Sequence, residues 1–458
     1  MASLSYWFLS PSLIMAVAGK LRGWDRTQPT PVFDWTKAVV DAVIPAKNEE
    51  RCIALALASI ARQTFPIRDV IVFDDASTDR TAEIVRSFVE KTGRPVKLIS
   101  RPVSIGKTPA LREYCESSNA DALVILDADT VMTSPDYVSR LIEELFKNAG
   151  VAATCGEVMP LTNRSRKQMV EGDSTVRSLW EQFRLPPPGR EGFWARLAVA
   201  LTILYRAPMY LLLQRTLYDG NLKLFGAQLN PVGCAVAYKT ARLRECFAYS
   251  QPRLGDNLSM SEDIYIGHFF NWKGWRSMQI LGIRCESTEP PIHRLPRQLF
   301  LWSSGFLQSS YYFLDLPLSP LRFLKRVWPG PRVRDQATHP ARRIQEQYRA
   351  PWGEDFTRHK GRAIGWFELT SLLEKTLYPV VLTYFAFFDR DVFWLTLTAE
   401  TVLCMGLLML TADRGSRLKY AAMVVPALPV RVMSLGVDVF AIGRCLLDIA
   451  SGNRRWRK

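Results

Sequence analysis

The sequence predicts an α/β fold: a mostly parallel sheet in an N-terminal head, continued by interfacial helices and a C-terminal transmembrane helical region. Three observations carry this. Apolar strand runs alternate with helical stretches over residues 39–126, two of those strands end abruptly in aspartates, and residues 366–450 are strongly apolar with few charges. Residues 39–45 (VVDAVIP) read as a buried strand, followed by Ile53, Leu55, Ala56, Leu57 and Ile60 at helical spacing. Residues 69–73 form the second strand, 74–79 a turn rich in helix-cap residues, and 81–89 a helix. Residues 96–100 form the third strand and lead through Gly106-Lys107 into a helix near 110–115. Residues 122–126 are a continuous apolar strand that stops at Asp127-Ala128-Asp129. Strands linked by helices at this spacing lie parallel, and ligands then bind in the crevice beyond the strand C-termini.

The chain of 458 residues carries 59 Lys and Arg against 44 Asp and Glu, a formal net charge of +15. Its length excludes a small stapled module, and 48% hydrophobic residues exclude a disordered chain. The eight cysteines are scattered singly with no C-x-x-C pair, which excludes a disulfide framework and a zinc site and suits a reducing compartment. With four histidines, any metal must be held mainly by carboxylates, so Mg or Mn are the candidates.

Residues 322–362 hold eleven Lys or Arg against four acids, with Pro329, Pro331, Pro340 and Pro351 breaking long helices. Arg454, Arg455, Arg457 and Lys458 close the chain around Trp456. Basic clusters flanking apolar spans mark the cytoplasmic side and attract anionic lipid headgroups. Nucleic acid is disfavoured as a partner, because no stacking aromatics or recognised nucleic-acid module accompanies the charge. Residues 392–411, with Glu400 as the single charge, are the safest membrane span. Residues 376–388 must borrow from 366–375, which contains Glu368, Glu374 and Lys375. Residues 420–442 include Pro426, Pro429, Arg431 and Asp438 and read as a broken or re-entrant span. Residues 4–18 fit a crossing or a surface helix. Residues 193–213 are interrupted by Arg196, Arg206 and Pro208 and read as interfacial.

Asp127 and Asp129, two apart where a buried strand ends, can both reach one cation and leave coordination positions for phosphate oxygens. Asp74 and Asp75 form a second acidic cluster at a strand end. Neither G-x-G-x-x-G after the first strand nor G-x-x-x-x-G-K-[ST] is present, which argues against a dinucleotide dehydrogenase and a P-loop enzyme.

In order along the chain, Val43-Ile44-Pro45-Ala46-Lys47-Asn48-Glu49, Gln63-Thr64-Phe65-Pro66, Val72 to Asp79 (VFDDASTD), Gly106-Lys107 and Leu126-Asp127-Ala128-Asp129 resemble the family 2 glycosyltransferases, inverting enzymes with the GT-A fold, a Rossmann-like sheet. Ser261-Glu262-Asp263, Gly267, Gly274-Trp275, Thr288-Glu289-Pro290 and Gln298-Leu299-Phe300-Leu301-Trp302 extend the resemblance over roughly residues 39–310, and the apolar C-terminal third is similar to cellulose-, chitin- and hyaluronan-synthase-like members. The resemblance implies residues 1–38 as a membrane-associated helix and linker, 39–290 as the GT-A domain with an insertion at 168–226, 291–365 as interfacial helices and basic linker, and 366–458 as transmembrane region and basic tail. It further implies a UDP-sugar donor bound by Asp74, Asp75, Lys107 and Asp127, with Asp127 and Asp129 holding Mg or Mn. Asp263 would be the general base and Glu262 its companion, with Gln298, Trp302 and Gly233 on the acceptor side. The last motif departs from the processive pattern Q-x-x-R-W: Leu301 stands at the arginine position, so Arg297 or Arg294 substitutes for it or the enzyme is not processive. A growing polysaccharide and a lipid-linked acceptor both fit, with or without a partner subunit. The expected place is the plasma or inner membrane with the head cytoplasmic. A non-catalytic nucleotide-binding membrane protein is the competing class, favoured by Leu301 alone.

Overall fold

The computed structural model describes residues 10–23, 34–255, 261–322 and 353–452. The start of the predicted N-terminal helix, most of the basic linker with its four prolines, and the basic tail lie outside the described residues.

Among the described residues eight strands form one sheet: β1 (Val40–Ala46), β2 (Asp69–Asp74), β3 (Val96–Ser100), β4 (Ala122–Leu126), β5 (Thr130–Met132), β6 (Val151–Pro160), β7 (Ala235–Lys239) and β8 (Arg276–Ser287), in the order β3-β2-β1-β4-β7-β6-β8-β5. The four strands anticipated from the sequence are the parallel half, β3-β2-β1-β4. Helices Ile53–Ala61, Thr81–Thr92 and Lys107–Ser117 make its crossovers. β7 runs antiparallel to both β4 and β6, while β6 and β8 pair parallel and β5 closes the edge antiparallel. Strand order reverses between β1 and β4, so the segments leaving these two strands diverge and open a crevice at their C-terminal ends. Asp41, the one acid within β1, is fully buried at the opposite end of the sheet. Its carboxylate accepts from Arg68 Nη2 (2.7 Å), Tyr114 OH (2.8 Å) and Ser118 Oγ (2.9 Å), which satisfies a charge that an apolar strand otherwise excludes.

The helical region corrects one expectation. Residues 193–213 belong to a longer element than expected: helix Phe193–Leu212 continues through a π-helical turn, Leu213–Tyr218, into Asp219–Phe225, and together they are long and apolar enough to cross a membrane. The charges that argued against a span are accommodated, because Arg196 sits at the exposed start while Arg206 is buried against Glu289. Arg390–Thr411 also qualifies as a span, and Arg417–Val424 with Leu428–Ala450 forms a pair bent by 60° at the predicted prolines, a broken span or re-entrant loop. Helix Gly365–Phe388 turns its charges inward. Glu368 meets His268 Nε2 (2.8 Å) and Lys375 meets Asp438 (2.7 Å), while Glu400 pairs with Arg431 (3.0 Å). Outward faces carry Leu377, Val380, Tyr384, Phe388, Trp394, Leu395 and Leu410.

Further charged contacts tie these helices to the head. Asp413, just beyond Thr411, bonds Arg215 Nη1 (2.7 Å) and Arg284 Nη2 (2.6 Å), joining the end of a span to β8, and Arg215 also holds Glu157 of β6 (2.6 Å). These two guanidinium groups, Arg215 first, hold the Asp413 carboxyl down at about 2. Helix Pro11–Arg22 crosses Asp219–Phe225 so closely that a Cβ on Gly220 would collide with the Ala16 backbone, and one on Gly19 with the Gly220 carbonyl. Gly220→Leu is therefore expected to pry the two helices apart and destabilise the protein by about 1–3 kcal/mol, read as a lowered thermal midpoint in detergent.

Candidate functional site

A cleft of about 280 Å³ opens at the crevice beyond β4, walled by residues from eight separate parts of the chain. Asp127 and Asp129 enter it where β4 ends, Val232-Gly233-Cys234 precede β7, and Ser261-Glu262-Asp263 open helix Glu262–Lys273. Ser287-Thr288-Glu289 follow β8, Gln298, Leu301 and Trp302 come from helix Leu295–Tyr312, and Arg206 and Tyr210 come from the 193–225 helix. Lys107, at the start of its helix, joins them.

Lys107 is the hinge of the arrangement. Its Nζ bonds Asp127 Oδ1 (2.7 Å) and Glu262 Oε1 (2.6 Å), drawing the β4 end and the 262–273 helix start together. Burial lowers the Lys107 pKa, but Asp127 and Glu262 outweigh it and hold the ammonium well above its ordinary value, so it stays charged. Asp263 lies in the first helical turn, where unpaired backbone N–H groups favour a carboxylate. Its Oδ1 accepts from Ile264 N (2.9 Å) and its Oδ2 from Gly233 N (3.2 Å). Withdrawal from solvent, then the neighbouring Glu262, pushes its carboxyl up to about 6. Burial and Asp127 push Asp129 up to about 7, with Thr130 Oγ1 donating to it at 3.2 Å. Glu49, beyond β1, is pushed up to about 8 by burial and by Asp129, Asp79 and Asp127.

Five carboxylates thus face the cleft, Asp127, Asp129, Glu262, Asp263 and Glu289, against the cations Lys107 and Arg206. Such a surface repels an anionic ligand unless a cation accompanies it. Among the described residues no three His, Cys, Asp or Glu side chains converge as a metal cage. The donor set fits a hard divalent ion held by two protein carboxylates, with a ligand's own oxygens completing its shell.

The other expected residues divide. Gln298, Trp302 and Gly233 line the same cleft as Asp129 and Asp263, whereas Asp74 and Asp75 stand outside it. Asp74 accepts from Ser77 N (3.1 Å) and shapes its own turn. Asp75 accepts from Ser104 Oγ (2.6 Å), Ile105 N (2.8 Å) and Gly106 N (3.0 Å), fixing the loop that delivers Lys107. Burial raises its carboxyl, but these three hydrogen bonds prevail and hold it below the usual range. Arg294 and Arg297 are exposed and line no part of the cleft. The cation beside Gln298 and Trp302 is Arg206, which sequence reasoning missed. Its signal was an arginine retained inside an apolar helix.

At Gly233 the side chain is excluded by a close neighbour. A Cβ there would stand 2.7 Å from Asp263 Cβ and 2.8 Å from its Oδ2, so the glycine makes room for the carboxylate. Gly233→Ala is expected to displace Asp263 and to lower turnover by about 100-fold with an unchanged circular-dichroism spectrum, measured by steady-state kinetics.

Residues 41–189 match the family model described as Glycosyl transferase family 2. The chain is similar to a poly-β-1,6-N-acetyl-D-glucosamine synthase of Staphylococcus epidermidis, 30% identical over 117 residues, which are 26% of this chain and 28% of that one. It is also similar to a 4,4'-diaponeurosporenoate glycosyltransferase of Staphylococcus aureus, 31% identical over 118 residues, 25% and 30% of the two chains. The chain spans under a third of the length of these two relatives. Among solved structures, the mannosyltransferase PcManGT from Pyrobaculum calidifontis in complex with GDP-Man and Mn2+ aligns over 94% of each chain at 16% identity with a TM-score of 0.47. The span matched to the glycosyl transferase family 2 model, residues 41–189, is the one that holds the motif-bearing ends of β1, β2 and β4.

Proposed function

We propose that the protein is a membrane-bound inverting glycosyltransferase that moves a sugar from a UDP-sugar to an acceptor hydroxyl. The observation that carries this is the meeting, in one cleft, of Asp263 with the Asp127-Ala128-Asp129 strand end, from segments more than a hundred residues apart. Asp263 is the general base. Held by Ile264 N and Gly233 N, it takes the acceptor proton as that oxygen attacks the anomeric carbon on the face opposite the leaving UDP, inverting the configuration. Asp127 and Asp129 would hold Mg or Mn, which when bound stabilises the negative charge developing on the diphosphate. Lys107 keeps Asp127 and Glu262 in register and contributes a fixed positive charge beside the diphosphate. Asp75 acts on the donor side by fixing the loop before Lys107. Gln298 and Trp302 form the acceptor wall, where an aromatic face suits a sugar ring.

Two candidate spanning helices among the described residues, three with the bent pair, favour a single transfer to a lipid-linked acceptor; a growing polysaccharide is the alternative. The basic segments support a head on the cytoplasmic side by the positive-inside rule.

Membranes containing the protein, incubated with a panel of labelled UDP-sugars and Mg or Mn, are expected to release UDP and form one extractable glycolipid. Long insoluble product points to polysaccharide instead, and no transfer from any donor rejects the proposal. Chelation with EDTA is expected to abolish transfer, with Mn restoring it. Asp263→Asn is expected to lower transfer by roughly 100-fold or more with UDP binding kept. Because the Asp263 carboxyl is raised to about 6 and a base must be ionised, wild-type kcat/KM is expected to be full well above that pH and to fall as pH drops through it. A rate flat between pH 5 and 8, the range bracketing that pKa, counts against the assignment.

A further inference from the structure

The acceptor wall is clasped from the membrane side. Arg206, 1% exposed, donates from Nη1 to Glu289 and to Tyr210 OH (3.3 Å) and from Nη2 to Gln298 Oε1 (2.8 Å), and its guanidinium carbon lies 4.3 Å over the Trp302 ring. One side chain therefore fixes the segment after β8 and two residues one helical turn apart on helix Leu295–Tyr312. The planar fork suits this, since it presents several donors in one rigid geometry and stacks on an aromatic face, which a lysine cannot do at once. On the other side of the same helix, Ser303 donates to Asp438 (2.7 Å), itself paired with Lys375. Leu301, between Gln298 and Trp302, contributes no charge.

We propose that Arg206 is the positioning residue of the acceptor wall: carried by the 193–225 helix, it sets the orientation of Gln298 and Trp302 and so governs use of the acceptor, leaving nucleotide binding to the β4 side of the cleft. This rests on the transferase reading for what the wall receives, while the clasp itself stands on geometry. One face of Trp302 is occupied by the guanidinium, so a sugar meets the ring from another side.

The test uses the full chain in lipid nanodiscs with three variants, Arg206→Ala, Arg206→Lys and Gln298→Leu. UDP with Mn is the binding probe, and hydrogen–deuterium exchange is the structural one. Expected for Arg206→Ala are UDP affinity within about twofold of wild type, faster amide exchange confined to residues 295–302, and incorporation of sugar from the best UDP-sugar of the panel lowered by about tenfold or more, with the loss in acceptor KM rather than donor KM. Arg206→Lys keeps the charge beside Glu289 and is expected to recover only part of it. Gln298→Leu removes one bond of the clasp, and the double variant is expected to lose less than the sum of the single changes, as interacting groups do. UDP affinity weakened tenfold or more makes Arg206 a donor ligand and overturns the proposal. Exchange raised throughout the head, or unchanged over 295–302, overturns it as well. A wild-type protein that binds no UDP fails the transferase reading, while the exchange result still decides the clasp.

Discussion

The Lys107 ammonium between Asp127 and Glu262 is the interaction on which the site depends. A parallel sheet brings strand C-termini to one edge, and here that edge gathers aspartates whose mutual repulsion opposes a compact cleft. Lys107 offsets it, because its helix starts where β3 leads across the same crevice and its Nζ reaches acids from two distant segments. Asp75 bonds the loop just before that helix and thereby sets where the ammonium stands. Burial first, and the neighbouring carboxylates after it, raise the pKa values of Asp129 and Glu49.

The helical region follows the same rule in a drier setting. Charges within apolar helices are expensive alone and tolerable in pairs. Arg431 with Glu400, Lys375 with Asp438 and Arg206 with Glu289 are all buried and all join different elements. These pairs contribute less to net stability than to register, since a helix turned about its axis leaves an unpaired charge inside.

Much of this was legible in the sequence, and the parts that were not share a cause. The β4 end was readable because an apolar run stops at Asp127-Ala128-Asp129, and Asp263 because its acidic motif keeps the family's order. The antiparallel direction of β7 was not, because an alternating or apolar strand reads alike in either sense. Arg206 was seen only as a flaw in a span, since its partners lie 83 and 92 residues away. Gly233 was placed on the acceptor side from the resemblance, while the group packed against it, Asp263, is set by tertiary folding. The reach of residues 193–225 was underestimated because a π-helical turn carries the helix past residue 213.

Asp413 bridges Arg215 and Arg284, and Arg215 belongs to the same long helix as Arg206. The rigid strut so formed runs from the rim of a span, through the catalytic head, to the wall of the cleft. Where the far wall of the cleft stands is thus set by the helices that carry Arg206 and Arg215, not by the sheet alone.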